Sequence, residues 1–125
     1  MSPASLAEWA TAGQWRRAKH LALLNDKLLD IHLGRLKRLL VTMPPRHGKS
    51  ECISRFFPAW YIGRDPSRKV ILASYEHNFA ASWGAKARDV LAEFGPAVFG
   101  VRLRADRGAR DDWQIDGHEG GMVCA

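Results

Sequence analysis

Cysteine is scarce in this sequence: Cys52 and Cys124 are the only two among 125 residues. They have no metal-ligand spacing and make no disulfide framework, which points to two reduced, buried thiols in a cytosolic compartment. Long apolar runs are also missing. None approaches the roughly 18 residues that a membrane span needs, so a membrane is not an expected partner. The first residues, Met1-Ser2-Pro3-Ala4-Ser5, lack the basic and apolar regions of a secretory signal. The acidic residues Asp111, Asp112, Asp116 and Glu119, with His118, show no recognisable ligand spacing and read as a solvated loop. Charge is not massed in one run either. The net charge of +6 is compatible with a polyanionic partner. Its carriers are spread from Arg16-Arg17 through Arg35, Lys37 and Arg38 to Arg110, as on an ordinary solvated surface. What remains is a globular composition, 46% hydrophobic and 26% charged, of a length for one domain or part of one.

One stretch organises the rest. Arg38-Leu39-Leu40-Val41-Thr42-Met43-Pro44-Pro45-Arg46-His47-Gly48-Lys49-Ser50-Glu51 runs from an apolar segment of strand length, through a proline-punctuated turn, to Gly-Lys-Ser at the start of a helical pattern. Strand, loop, Gly-Lys-Ser and helix is the order that a phosphate-binding loop requires. Backbone N–H groups of such a loop form an anion-binding nest, and the helix N-terminus adds donors and partial positive charge. Lys49 has the reach for β- and γ-phosphates, and the Ser50 hydroxyl can join a Mg²⁺ shell. The pattern is a variant. Its first position falls on Met43 instead of glycine, and Pro44 and Pro45 stiffen the turn.

Along the chain, a short helix is expected within residues 2–14. A longer one is expected over 15–33, where Leu21, Leu24, Leu28 and Ile31 recur at spacings of three and four and Gly34 stands as the stop. Leu39–Met43 reads as the first strand. Residues 50–62 read as a helix with an aromatic face, interrupted at Pro58. Val70–Tyr75 reads as a second strand, parallel to the first across a crossover. Ser74, Tyr75 and Glu76 would then lie at the carboxyl edge of the sheet, where ligands bind in open α/β folds, or simply form a polar turn into the next helix. Asn78–Phe94 reads as the most regular helix, with Asn78 as N-cap, a stripe of Phe79, Trp83, Ala87, Val90 and Phe94, and Gly95-Pro96 as the stop. Phe99–Arg104 is expected as an edge strand and residues 106–112 as a charged loop. Residues 113–115 and 122–125 are expected as short strands joined through Gly117, Gly120 and Gly121.

In their shared order, these residues resemble the terminase large subunits of tailed phages and prophages. The resemblance covers about residues 15–125 and rests on the 38–51 stretch as a variant Walker A. It is joined by Phe57-Pro58-Ala59-Trp60, Ile71-Leu72-Ala73-Ser74-Tyr75, Ala87-Arg88-Asp89, and Trp113 ahead of a Gly-Gly pair. It implies an α/β P-loop NTPase fold, a three-layer αβα arrangement on a mainly parallel sheet. Residues 1–34 would lead as a helical segment into a partial ATPase domain, 35–125. The activity implied is that of an ATP- and Mg²⁺-dependent motor packing double-stranded DNA into a procapsid. Its implied partners are the portal protein, the terminase small subunit and further copies of itself in a ring, in the cytoplasm of the bacterial host. Carried over by position, Pro45, Arg46, His47, Gly48, Lys49, Ser50 and Glu51 would surround ATP. Lys49 would bind the β- and γ-phosphates and Ser50 the Mg²⁺. Arg46 would stabilise charge on the transferring phosphoryl group, and Glu51 would act on the helix N-terminus. No apolar strand ending in Asp-Asp or Asp-Glu is present, so Walker B, its catalytic glutamate and the nuclease domain are unmatched. An N-terminal fragment that binds nucleotide weakly and hydrolyses little is what this implies. The alternatives are a helicase or translocase of another P-loop branch and a non-catalytic nucleotide-binding remnant, with a small-molecule kinase ranked last. For the adenine, Trp15 or His20 could serve.

Overall fold

A computed structural model describes residues 2–42 and 50–125. Helix α1 (Pro3–Ala10) starts at Ser2, whose hydroxyl accepts from the Ser5 N–H, with Pro3 at the first position, where its missing N–H costs nothing. Helix α2 (Lys19–His32) buries Leu21, Leu24, Asn25 and Leu28, most of the stripe the spacing predicts. It ends where expected, with Gly34 at a φ of 76°. Asn25 is the one buried polar residue of the core among the described residues, and its Oδ1 accepts the Ala4 N–H at 2.9 Å. A side chain of α2 thus satisfies an orphan donor in the first turn of α1.

The next helical run has two parts. Glu51–Phe56 forms a wide π-helical turn, in which the Phe57 N–H reaches back to the Cys52 carbonyl. It passes directly into α3 (Phe57–Arg64). Pro58 explains the junction. It has no N–H to offer the carbonyl four residues earlier, and the wider spacing absorbs the mismatch. The expected interruption is therefore a change of helix type without a break in the run. Phe56 and Trp60 are almost wholly buried, as core packing predicts.

Four strands make one mixed sheet in the order β1-β4-β3-β2. Strand β1 (Lys69–Leu72) pairs parallel with β4 (Gly121–Cys124), β4 pairs antiparallel with β3 (Asp112–Ile115), and β3 antiparallel with β2 (Leu103–Ala109). Helix α4 (His77–Val98) lies across the sheet. The Trp113 indole donates to the Gly84 carbonyl at 3.1 Å. A Cβ at Gly84 would collide with the Arg110 carbonyl and the Cys124 sulfur, so helix and sheet are in backbone contact there. Trp113, Ile115, Met122 and Cys124 point into this core. On the alternate positions Ile71 and Val123 are 75% and 47% exposed. Among the described residues the arrangement is two-layered, with the second face of the sheet open.

Four expectations change. Leu39–Thr42 is not a strand. Leu39 and Val41 pack against the core and Leu40 is 89% exposed, so α2 supplies the burial that a sheet neighbour would otherwise give. The parallel partner of β1 is accordingly β4, and the sheet is mixed instead of mainly parallel. Helix α4 runs through Gly95-Pro96 to Val98. Its buried residues are Ala80, Ala81, Gly84, Ala87, Val90, Leu91 and Gly95. Ala87 and Val90 belong to the expected stripe, while Phe79 is 47% exposed, because close approach to the sheet demands small residues. Finally, β2 extends to Ala109, through much of the expected charged loop. As an outer strand it needs few apolar side chains, and Arg104–Asp106 and Arg107–Asp112 pairs at 2.7 and 2.8 Å decorate it.

Candidate functional site

The residues of the expected phosphate loop divide in two. Met43, Pro44, Pro45, Arg46, His47, Gly48 and Lys49 lie outside the described residues. Ser50 and Glu51 are described. Ser50 is exposed and stands at the head of the π-helical turn. Glu51 is in its first turn, where a carboxylate opposes the partial positive charge of the helix end. That carboxylate is also paired with Arg55 one turn on, at 2.9 Å, and the Arg55 guanidinium lies over the Phe56 ring. Glu51 is thereby committed to its own helix. Cys52 beside it is fully buried, and burial pushes its thiol up to about 11, against a smaller lowering by Arg17. Such a thiol is inert as a nucleophile. Cys124 is likewise free and buried, and burial with nearby Asp111 raises its thiol.

At the carboxyl end of β1, the chain turns through Ala73 and Ser74. The Ser74 N–H donates to the Ala125 carbonyl at 3.3 Å and the Ala125 N–H to the Leu72 carbonyl at 2.9 Å, which carries the parallel pairing past the strand ends. Tyr75 is 90% exposed, and its ring leans on Phe79 at 5.8 Å. Glu76 caps α4, accepting the Asn78 and Phe79 N–H groups at 2.9 and 2.8 Å. The cap is thus Glu76 and not Asn78. Two accepted bonds per carboxylate are worth more to the helix than one amide side chain, and an acid just ahead of the periodic residues was the available signal. Of the triplet 74–76, only Tyr75 presents an exposed ring.

The two residues considered for a purine ring part company. Trp15 is core, at 8% exposure, and its backbone N–H donates to the Thr11 hydroxyl. His20 lies on α2 and lines an open groove of about 350 Å³ between that helix and residues 39–42, with Leu23, Leu24, Lys27, Leu40 and Thr42. The acidic residues after β2 are drawn apart: Asp111 meets His77 at 3.2 Å, and Asp112 meets Arg107. Among the described residues no set of three potential ligands is close enough to hold a metal ion.

A cluster with no signature in residue spacing joins α2 to the turn before β1. His32 Nδ1 is bonded to the Arg68 guanidinium, which also lies over the Tyr61 ring at 4.2 Å and beside Asp65 at 3.4 Å. The His32 ring meets Trp60 edge-on at 4.7 Å. Burial, then Arg68 and Arg64, hold the imidazole below its ordinary range, while Asp65 pulls weakly the other way. Neutral His32 accepts from the arginine and helps to fasten the helical layer to the sheet.

No family model matches the chain, and neither a curated protein nor a solved structure does.

Proposed function

We propose that this chain is the ATP-binding part of a terminase large subunit, the motor that packages viral DNA into a procapsid. The observation that carries the reading is Gly48-Lys49-Ser50 placed immediately ahead of the helical run that begins at Glu51. The Ala73-Ser74-Tyr75 turn at the carboxyl end of a parallel-paired strand supports it, because ligands of α/β sheets gather at that end. Ser50 fits the role asked of it: its position at the head of the helical run is exposed, and the nearest acid, Glu51, is neutralised by Arg55. The helix end therefore carries no unpaired carboxylate to repel a triphosphate.

On this reading Lys49 binds the β- and γ-phosphates and Ser50 supplies an oxygen to Mg²⁺. Backbone N–H groups of Pro45-Arg46-His47-Gly48, all but proline having one, hold the phosphate chain. Arg46 stands by for charge on the transferring phosphoryl group. ATP with Mg²⁺ supplies the energy of translocation when bound, and the chain's own residues orient the phosphates. Double-stranded DNA, the portal, the small subunit and neighbouring copies in a ring are the proposed partners, in the cytoplasm of a bacterial host. The P-loop fold itself is part of the proposal.

The test is binding of a fluorescent ATP analogue to the 1–125 chain with Mg²⁺. Lys49→Ala is expected to weaken binding at least tenfold, about 1.4 kcal/mol, with the thermal transition unchanged. Equal binding by the variant would remove the phosphate-loop reading and leave a module of another kind. Stimulation by procapsids, and not by DNA alone, separates a packaging motor from a helicase of another branch.

A further inference from the structure

One stretch of the chain is richer in cations than in acids. Residues 16–42 hold seven of the nineteen Lys and Arg residues but only two acids, Asp26 and Asp30. In the fold this stretch forms both walls of the groove beside α2. One wall carries His20, Leu23 and Lys27, which share a helix face at spacings of three and four, with Lys19 one turn before Leu23. The other is residues 39–42, entered through Lys37 and Arg38. Lys19, Lys27, Lys37 and Arg38 are all exposed. Asp30 has Arg35 as its nearest charge partner, at 3.9 Å. Between the walls the groove is leucine-lined, and Leu23 and Leu40 are 60% and 89% exposed.

We infer that this groove docks an acidic amphipathic helix of a partner protein. Its shape and chemistry choose that occupant. Residues 20–27 span about 10 Å along the α2 axis, roughly two helical turns, the length over which a docked helix places its i, i+3, i+4 and i+7 anchors. Leucine offers van der Waals contact to such anchors, and Lys27 in the lining, with exposed Lys19, Lys37 and Arg38 adjoining the lining residues in the chain, matches carboxylates on the flanks of the incoming helix. A nucleic-acid strand would find the cations but, among the described residues, only the His20 imidazole to stack a base on, in a lining that is otherwise mostly aliphatic. A lipid surface is met by a convex apolar ridge, whereas the floor of this groove is the buried Leu24 with half-buried Leu39 and Val41. The groove uses no residue of 46–51, so it stands or falls separately from nucleotide binding.

The probe is a labelled 14-residue peptide with leucines at helical i, i+3, i+4 and i+7 positions and glutamates elsewhere. Its control has the same composition with the leucines alternating. Fluorescence anisotropy with the 1–125 chain should show the patterned peptide binding at least tenfold more tightly than the control, about 1.4 kcal/mol. Leu23→Asp and, separately, Lys27→Glu should each weaken it by a similar factor. Both positions are exposed, and unchanged circular dichroism verifies folding. Equal binding of the two peptides would overturn the inference, as would indifference to both substitutions. So would preferential binding of oligo-dT or of phosphatidylserine vesicles, or a dimer of the chain that the patterned peptide does not dissociate.

Discussion

His32 is a histidine that the fold uses in its neutral form. As a hydrogen-bond acceptor for Arg68, wedged against Trp60, it gains nothing from a proton and would lose its partner on taking one. Its folded value lies below the ordinary 6.5. The unfolded chain therefore binds this proton more readily, and stability must fall as protons are added. Above about pH 6.5 the contribution is complete, and it declines as the pH drops below that value toward the depressed folded value. Thermal midpoints at pH 7.5 and at pH 5.5, about a unit to either side of the free imidazole's range, should differ more in the native chain than in His32→Gln, whose amide oxygen can still accept from Arg68. An identical pH response in the two proteins would mean that the acid sensitivity lies elsewhere.

Helix α4 and its contact with the sheet are decided by small residues. In a helix interior, Gly84→Ala should gain about 1 kcal/mol from propensity alone. Here the added methyl group meets the Arg110 carbonyl and the Cys124 sulfur, and overpacking of that kind costs about 1–3 kcal/mol. Net destabilisation is the expected sign, read as a lower denaturant midpoint with an unchanged slope. A more stable variant would show that helix and sheet are further apart than described.

The same helix shows which elements were legible beforehand. Its existence was plain from period, and so were Ala87 and Val90 of its buried face, but the rest of that face was not. Phe79 is 47% exposed, and large residues dominate any reading by hydrophobicity while a backbone contact selects glycine and alanine. Leu21, Leu24 and Leu28 were legible because one face of α2 alone meets the core, and Gly117 with Gly120-Gly121 marked the β3–β4 hairpin for want of any other use. Leu39–Thr42 was not: four apolar or small residues look alike whether a strand or a helix covers them. Of the phosphate site, the order of residues was legible and only Ser50 and Glu51 are described in three dimensions, with Glu51 held by an ion pair that its i, i+4 relation to Arg55 announces.

For the whole molecule, burial is lopsided. Helices α3 and α4 contact the sheet, and the face carrying Met122 and Cys124 is closed while the face carrying Ile71 and Val123 is open. Among the described residues, strand β1 is also an outer strand with no second neighbour. No helix among the described residues is long and apolar enough to cross a membrane. The net charge of +6 opposes contact between two such faces, by a repulsion that reaches about 30 Å at 0.01 M salt and about 3 Å at 1 M. The colloidal behaviour should consequently run opposite to that of a protein whose association is ionic. Light scattering of the 1–125 chain is expected to rise with sodium sulfate, which both screens the charge and favours apolar association, and to subside on dilution into low salt. Scattering that instead falls with added salt would show that contacts between unlike charges hold the copies together. An uncovered sheet face thus sets the ionic strength at which this protein can be handled.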